Sequence, residues 1–193
     1  MRRICVFCGS SAGSDPRSRE AAAELGRRLA GDSVGVVFGG GSIGLMGVLA
    51  DAALDAGGEV VGVIPHALAA RELAHRGVPD MRVVPSMHAR KALMAELSDA
   101  YIALPGGLGT FEELLEIATW GHLGIHHNPV GVLNVAGYYD PLNTLLDHAV
   151  NEGFVSRENR RLVVVADSPP TLLEELRIHR PAGGPEWITP EEA

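Results

Sequence analysis

A cluster of glycines and acidic side chains stands at residues 104–113, where an apolar run ends and a helical pattern begins. The stretch has the sequence LPGGLGTFEE. Gly106, Gly107 and Gly109 let the backbone turn tightly and expose amide N–H groups at a helix N-terminus, which suits an anion such as phosphate. The helix dipole favours the ionised form of a carboxylate near that end, such as Glu113, so it suits stabilising a developing cation better than donating a proton. The stretch therefore predicts a site for a phosphorylated ligand.

Thr110 and Glu113 also fit a purely structural pattern, the helix capping box. In that pattern the Thr hydroxyl accepts a hydrogen bond from the backbone amide of the Glu, and the Glu carboxylate accepts one from the backbone amide of the Thr. This role alone would account for both residues. The three glycines and the further carboxylates Glu112 and Glu116 favour a ligand site instead.

Arg90 is a second candidate for chemistry, because a predicted helix places it near the centre of an apolar face. With about 100° per residue, the apolar members of that face are Met87, Leu93, Met94 and Leu97. A charge there is costly unless it is paired, so we expect Arg90 to face a polar crevice, with phosphate or Glu113 as its partner. The alternative is that its aliphatic stem carries the charge to the surface. Lys91, at the edge of the face, could reach the same anion.

Two other glycine-rich loops follow predicted strands. Residues 39–44 match the G-x-G-x-x-G dinucleotide fingerprint, but the acidic residue about twenty positions on, Glu59, begins the next strand, where it cannot easily reach a ribose. We interpret this loop as a nucleotide or phosphate cradle with Gly40 and Gly41 as candidate contacts, and a nicotinamide or flavin enzyme stays a minority alternative.

The loop after the first strand, residues 9–13, matches the G-x-S-x-G nucleophile elbow. No downstream Asp and His stand in an obvious order, which disfavours a serine hydrolase. We expect Gly9 and Ser10 to contact the ligand, with Ser10 or Ser11 hydrogen-bonding it or capping the loop.

Neither the cysteines nor the histidines predict a metal site. Cys5 and Cys8 are three apart on a predicted strand and point to opposite faces, so we expect them neither to bridge nor to share a metal. His122 and His126 are four apart, but Gly121 and Gly124 are predicted to interrupt their helix, and no acidic residue lies between the two histidines.

The segments that carry these residues alternate between strands and helices. Strands are predicted at 4–8, 34–38, 59–64, 81–84, 100–104, 130–134 and 162–165, and helices at 16–30, from the 39–44 loop to about 57, 87–98, after 109, 139–151 and 172–179. This pattern predicts a Rossmann-like, doubly wound parallel sheet with helices on both faces. The ligand crevice then lies beyond the carboxyl ends of the strands, where the three glycine-rich loops converge. We predict one domain over residues 1–180, an irregular flap between about 66 and 80, and a flexible tail at 181–193.

Composition limits the classes of function. The 193 residues carry a net charge of −8, which argues against a nucleic-acid partner. Lys91 is the only lysine, so no Walker A loop exists. We see no signal peptide or membrane span and expect a cytoplasmic protein.

Two motifs together resemble a known family. Residues 87–91 (MHARK) followed by 105–113 (PGGLGTFEE) resemble the Lonely Guy family of cytokinin riboside monophosphate phosphoribohydrolases, once commonly mislabelled as lysine decarboxylases. The similarity spans roughly residues 3 to 178 and includes CVFCGSS at the start, GGGSIGLMG, and GVLN before GYY.

The resemblance implies hydrolysis of the N-glycosidic bond of N6-modified adenosine 5'-monophosphates, which releases the free cytokinin base and ribose 5-phosphate. It implies a homodimer with sites near the subunit interface and neither a metal nor another cofactor. The residues it implies are the catalytic pair Arg90 and Glu113, and substrate contacts from Glu72, Arg90, Lys91, Gly106, Gly107, Leu108, Gly109, Thr110, Phe111, Glu112 and Thr119. The alternatives are a non-catalytic protein that binds a nucleotide monophosphate, a general AMP nucleosidase, and a pyridoxal decarboxylase that would have to use Lys91 as its Schiff base.

Overall fold

The computed structural model describes residues 1–70 and 73–179, in which strands and helices alternate. The strands are β1 Arg3–Phe7, β2 Gly35–Phe38, β3 Val60–Pro65, β4 Asp80–Val84, β5 Ala100–Ala103, β6 Val130–Leu133 and β7 Val163–Ala166. The helices are α1 Pro16–Gly31, α2 Gly44–Asp55, α3 His66–Ala69, α4 Met87–Glu96, α5 Leu108–Leu123, α6 Asp140–Asn151, α7 Arg157–Arg160 and α8 Pro169–Ile178, with a 3-10 turn at Val135–Gly137. The predicted α/β class is confirmed; the short helices α3 and α7 were not predicted.

The seven strands form one parallel sheet in the order β4-β3-β2-β1-β5-β6-β7. The order reverses between the central neighbours β1 and β5, so the loops that follow these two strands lead to opposite faces of the sheet. A crevice opens at such a switch point.

The sheet buries a separate core on each face. In β1, Ile4 and Val6 pack on one side with α1, α2 and α8, whereas Cys5 and Phe7 pack on the other side with α4 and α5. Cys8 follows the strand and belongs to the first core. The two cysteines are free thiols in different cores, as their spacing predicted.

The helices are buried to very different extents. Helices α1, α2 and α5 each have five buried residues and α8 has four. In contrast, Met94 is the single buried residue of α4, and α6 has none. The outer surfaces of α4 and α6 are therefore uncovered in the single chain.

The structure excludes the capping-box alternative at the start of α5 and corrects one prediction about where this helix is interrupted. The helix begins at Leu108 with Gly107 as its N-cap and no side-chain capping bond, so Thr110 and Glu113 are not a capping box but already lie inside the helix. Of the two glycines predicted to interrupt the helix, Gly121 does not: the helix continues through it to Leu123 and is capped by Gly124, which has a left-handed backbone (φ 81°). A single glycine inside a helix costs only about 1 kcal/mol relative to alanine, so it need not end the helix. Gly121 is buried, and a Cβ there would lie 3.2 Å from the His126 ring.

The predicted tail at 181–193 lies outside the described residues, as do residues 71, 72 and 180. Among the helices of residues 1–70 and 73–179, none combines the length and the apolar character needed to cross a bilayer.

Candidate active site

A crevice of about 410 Å³ opens at the carboxyl ends of β1, β2 and β5, where the three glycine-rich loops converge as predicted. One part of its wall is backbone and small polar groups, from Gly9, Ser10, Gly41, Gly107, Gly109 and Thr110. A second part is the charged pair Arg90 and Glu113. A third part is apolar and comprises Ile43, Met46, Ile64, Leu68, Leu73 and Leu108.

Backbone hydrogen bonds tie the three loops together. The Gly9 amide donates to the Pro105 carbonyl at 3.1 Å, and the Leu45 amide donates to the Gly9 carbonyl at 3.0 Å. The loops approach so closely that a Cβ on Gly44, which has φ +65°, would lie 2.3 Å from the Ser10 carbonyl carbon. The crevice is therefore preformed by main-chain contacts.

The N-terminus of α5 forms one end of the crevice. Its first residues, Leu108, Gly109 and Thr110, all line the crevice. Because no side chain caps this helix, its first amide N–H groups are left for a ligand, and the helix dipole favours an anionic one. This arrangement suits a phosphate.

Arg90 reaches Glu113, as its position on α4 predicted. The Nη2 atom of Arg90 lies 3.2 Å from Oε1 of Glu113, and the two side chains are only 11% and 9% exposed. The Arg90 Nε is buried and has no hydrogen-bond partner among the described residues. The guanidinium therefore holds the carboxylate and keeps unused donor capacity at the crevice wall.

Burial raises the pKa of Glu113 from its ordinary value of 4.5 to about 6, although the charge of Arg90 acts in the opposite direction. Above pH 6 the side chain is mostly ionised. A buried carboxylate in a low-dielectric site interacts strongly with a positive charge that develops beside it.

Several residues implied as substrate contacts do not line this crevice. Lys91 on α4 donates to the Glu112 carboxylate, and its Nζ lies 2.8 Å from Oε1 of Glu116. Thr119 lies on the exposed side of α5, where its hydroxyl donates to the Leu115 carbonyl at 2.7 Å.

Three further predicted contacts, Gly40, Gly106 and Phe111, do not line the crevice either. Phe111 stacks on Tyr138, with ring centroids 6.3 Å apart. The Gly106 carbonyl accepts a hydrogen bond from the Tyr138 hydroxyl. Gly106 also lines a neighbouring cavity of about 370 Å³. Gly40, with φ +72°, supplies a carbonyl to a backbone bond with His75. Glu72 lies outside the described residues.

Gly39 also lines the crevice, although only Gly40 and Gly41 of its loop were predicted as ligand contacts. A Cβ at this position would lie 1.9 Å from Nη2 of Arg90 and 2.9 Å from its Cζ, so the guanidinium occupies the space that a side chain would need. The available signal was that Gly39 is the first of three consecutive glycines, residues 39–41. Apart from Leu108, the apolar wall was also missed, because its other members come from the β2–α2 loop, α2, β3, α3 and the segment after α3, which are far apart in the sequence.

The geometry can bind a phosphorylated molecule with an apolar part and place a buried carboxylate beside it. Two comparisons with known proteins bear on what that molecule is, and a third bears on the fold. A family model described as possible lysine decarboxylase matches residues 46–176.

The cytokinin riboside 5'-monophosphate phosphoribohydrolase LOG2 of Arabidopsis thaliana is 51% identical over 181 residues, which cover 94% of this chain and 85% of that protein. A probable cytokinin riboside 5'-monophosphate phosphoribohydrolase from Oryza sativa subsp. japonica, LOGL3, is 50% identical over 194 residues, which cover 98% of this chain and 92% of that protein. Among solved structures, the Moco carrier protein of Chlamydomonas reinhardtii aligns with a TM-score of 0.68 over 91% of this chain and 94% of that one. At 23% identity this last likeness bears on the fold alone.

Proposed function

This chain belongs to the family of cytokinin riboside 5'-monophosphate phosphoribohydrolases, and from that premise we propose that it hydrolyses N6-modified adenosine 5'-monophosphates to the free base and ribose 5-phosphate. The observation that carries the proposal is the buried Glu113, paired with Arg90 beside an uncapped helix N-terminus. These groups match the charges of such a nucleotide, which is anionic at its phosphate and becomes cationic at its ribose as the bond breaks.

The residues have separate tasks in this mechanism. The amides at the N-terminus of α5 hold the 5'-phosphate and so fix the ribose over the helix. As the bond from ribose to purine lengthens, positive charge grows on the sugar, and the Glu113 carboxylate stabilises it and orients the attacking water. Arg90, which also lines the crevice, keeps Glu113 ionised and in place.

A panel of three substrates tests the proposal. We expect the purified protein to release free base from N6-isopentenyladenosine monophosphate and little or none from the corresponding riboside, because only the former carries the phosphate. AMP in a third reaction distinguishes a cytokinin nucleotide enzyme from a general AMP nucleosidase. Free base is followed by chromatography. If no base appears from any compound while AMP binds, the protein is a nucleotide-binding protein and the proposal fails.

The pKa of Glu113 predicts the pH dependence of this reaction. The ionised carboxylate is the active form, so kcat/KM should fall as the pH drops through about 6 and level off above it. The substrate phosphate also titrates near pH 6, and the variant Arg90→Gln separates the two groups. The Arg90 charge lowers the pKa of Glu113, so removing it should move the decrease of kcat/KM at low pH, here called the acid limb, to higher pH. The pKa of the substrate does not depend on Arg90 and cannot change. An unmoved limb would contradict the assignment to Glu113.

We also propose that the protein acts as a homodimer through the face formed by α4, α5 and α6. In the single chain α4 and α6 have almost no buried residues, and a groove of about 930 Å³ runs between α4 and α5 past Ala92, Ala95 and Trp120. Glu112, implied as a substrate contact, is bonded to Lys91, which lines this groove, and neither Glu112 nor Thr119 lines the crevice of its own chain. A second chain seated here would account for both facts.

The dimer proposal is tested by the mass in solution. Sedimentation velocity should give twice the chain mass for the wild type and a single chain for Ala92→Arg, which adds a large charged side chain to the groove. Ala56→Arg, at an equally exposed position on the opposite side, is the matched control and should stay dimeric. A monomeric wild type would refute the proposal.

The two cysteines are free thiols, which suits a reducing compartment, and we propose the cytoplasm as the place of action.

A further inference from the structure

Residues 73–78, here called the strap, cross the β2–α2 loop and pair with it. The Ser42 amide donates to the Leu73 carbonyl at 3.0 Å, and the His75 amide donates to the Gly40 carbonyl at 2.8 Å. The result is an isolated antiparallel bridge beside a sheet that is otherwise parallel. The segment predicted as an irregular flap is thus attached, in this part, to a loop of the crevice.

One side-chain pair fastens the strap to helix α2. The His75 ring lies with Nε2 3.0 Å from Oδ1 of Asp51, while its Nδ1 accepts the Gly77 amide at 3.2 Å. Because Nδ1 accepts, the ring proton belongs on Nε2 and is donated to the carboxylate. The His75 side chain is only 10% exposed, whereas that of Asp51 is 66% exposed. The imidazole is therefore fixed at both nitrogens by the strap's own backbone and by α2.

The strap carries part of the crevice wall. Leu73, its first residue, lines the crevice together with Leu68 from α3, and Leu73 directly follows Glu72 in the chain. At the other end of the strap, Val78 is buried in the core. A contact that fixes the middle of the strap therefore fixes the position of Leu73 relative to the apolar side of the crevice.

We propose that His75 and Asp51 are a positioning pair, which holds Leu73 in place against the apolar part of the bound nucleotide. This inference rests on the proposed function for the identity of the nucleotide, but the attachment of the strap does not depend on it. Neither residue lines the crevice, so the pair acts on substrate binding through the strap and takes no part in bond cleavage.

Loss of the pair should leave the fold intact. Val78 stays in the core and the backbone bonds of Leu73 and His75 to the β2–α2 loop do not need the imidazole. The strap should then move more freely, and the substrate must order it on binding. The expected cost appears in binding and not in the chemical step.

Steady-state kinetics on variants test this role. We expect His75→Ala and Asp51→Ala each to raise KM about tenfold while kcat stays within about twofold. The double variant should be no worse than either single one, because both remove the same contact. His75→Gln, whose amide nitrogen can replace Nε2 as the donor, should restore most of the loss. Asp55→Ala, which removes another exposed carboxylate of α2, is the matched control and should behave as the wild type.

Hydrogen exchange gives a measure that does not need turnover. Amides of residues 73–78 should exchange faster in His75→Ala and Asp51→Ala than in the wild type and in Asp55→Ala. Unchanged exchange would overturn the attachment, and faster exchange with an unchanged KM would overturn the positioning role. If the wild type releases no base from any nucleotide, the proposed function fails by itself, and calorimetric titration with AMP then replaces KM in the comparison.

Discussion

Replacing Glu113 by glutamine is expected to lower kcat by about 10³-fold or more, with little change in the affinity for a nucleotide monophosphate. Glutamine keeps the size of the side chain and can still accept a hydrogen bond from Arg90, but it carries no charge to stabilise the ribosyl cation. Losses of this size are typical when a preorganised electrostatic group is removed. The measurements are single-turnover rates for kcat and calorimetric titration with AMP for binding.

Glu116→Gln is the matched control for this substitution. Glu116 lies about one turn further along α5 and contacts Lys91. In the Glu116→Gln variant, Lys91 would still be paired with Glu112. We expect this variant to retain most of the activity. A Glu113→Gln protein that turns over at the wild-type rate would exclude the carboxylate mechanism.

The same substitution should change the pH dependence of stability. The folded-state pKa of Glu113, about 6, lies above its ordinary value of 4.5, so between these values the native state binds more protons than the unfolded state. The stability that the protonated form contributes is fully present below pH 4.5 and is lost as the pH rises through 6. The loss amounts to about 2 kcal/mol for a shift of this size. Glutamine resembles the protonated form, so the variant should become more stable relative to the wild type from pH 4.5 to pH 7.

The sequence predicted the parts of the site that are continuous in the chain. The glycine-rich loops after β1, β2 and β5 converge because parallel strands end at one edge, and this follows from the alternation of strands and helices. Arg90 could be assigned to the crevice because an unpaired charge on an apolar helix face needs a partner, and Glu113 is that partner.

The sequence could not predict features that depend on distances between separate elements. The pattern T-x-x-E at Thr110 and Glu113 is the same in a capping box as inside a helix, and only the backbone shows that the N-cap of α5 is Gly107, three residues before Thr110. The strap is another such feature: the contact between His75 and Asp51 spans 24 positions and follows no motif. Local patterns contain no information on which distant loops will pair.

Gly39 is another residue whose contact with a distant element could not be predicted from the sequence. We expect Gly39→Ala to lose activity while it keeps its fold. The added methyl group would lie 1.9 Å from Nη2 of Arg90, so one of them must move. The nearest atoms belong to the end of a flexible arginine side chain and not to the backbone. The guanidinium can therefore move away with little loss of stability, but this movement weakens its contact with Glu113.

We expect kcat/KM of Gly39→Ala to fall about 100-fold, a loss of nearly 3 kcal/mol in transition-state stabilisation. The midpoint of thermal unfolding should shift by only a few degrees. Gly31→Ala is the matched control, because a Cβ at that position meets nothing within 4 Å, and it should have wild-type activity.

A double-mutant cycle shows whether the effect passes through Arg90. If Gly39 matters only because it makes room for the guanidinium, Gly39→Ala should add nothing to an Arg90→Ala protein, and the two losses should be far from additive. Additive losses would mean that the methyl group obstructs the substrate itself, since Gly39 also lines the crevice. Wild-type activity in Gly39→Ala would show that the close approach of Arg90 to this backbone is not needed for catalysis. The expected outcome makes Gly39 a positioning residue, whose lack of a side chain allows Arg90 to reach Glu113.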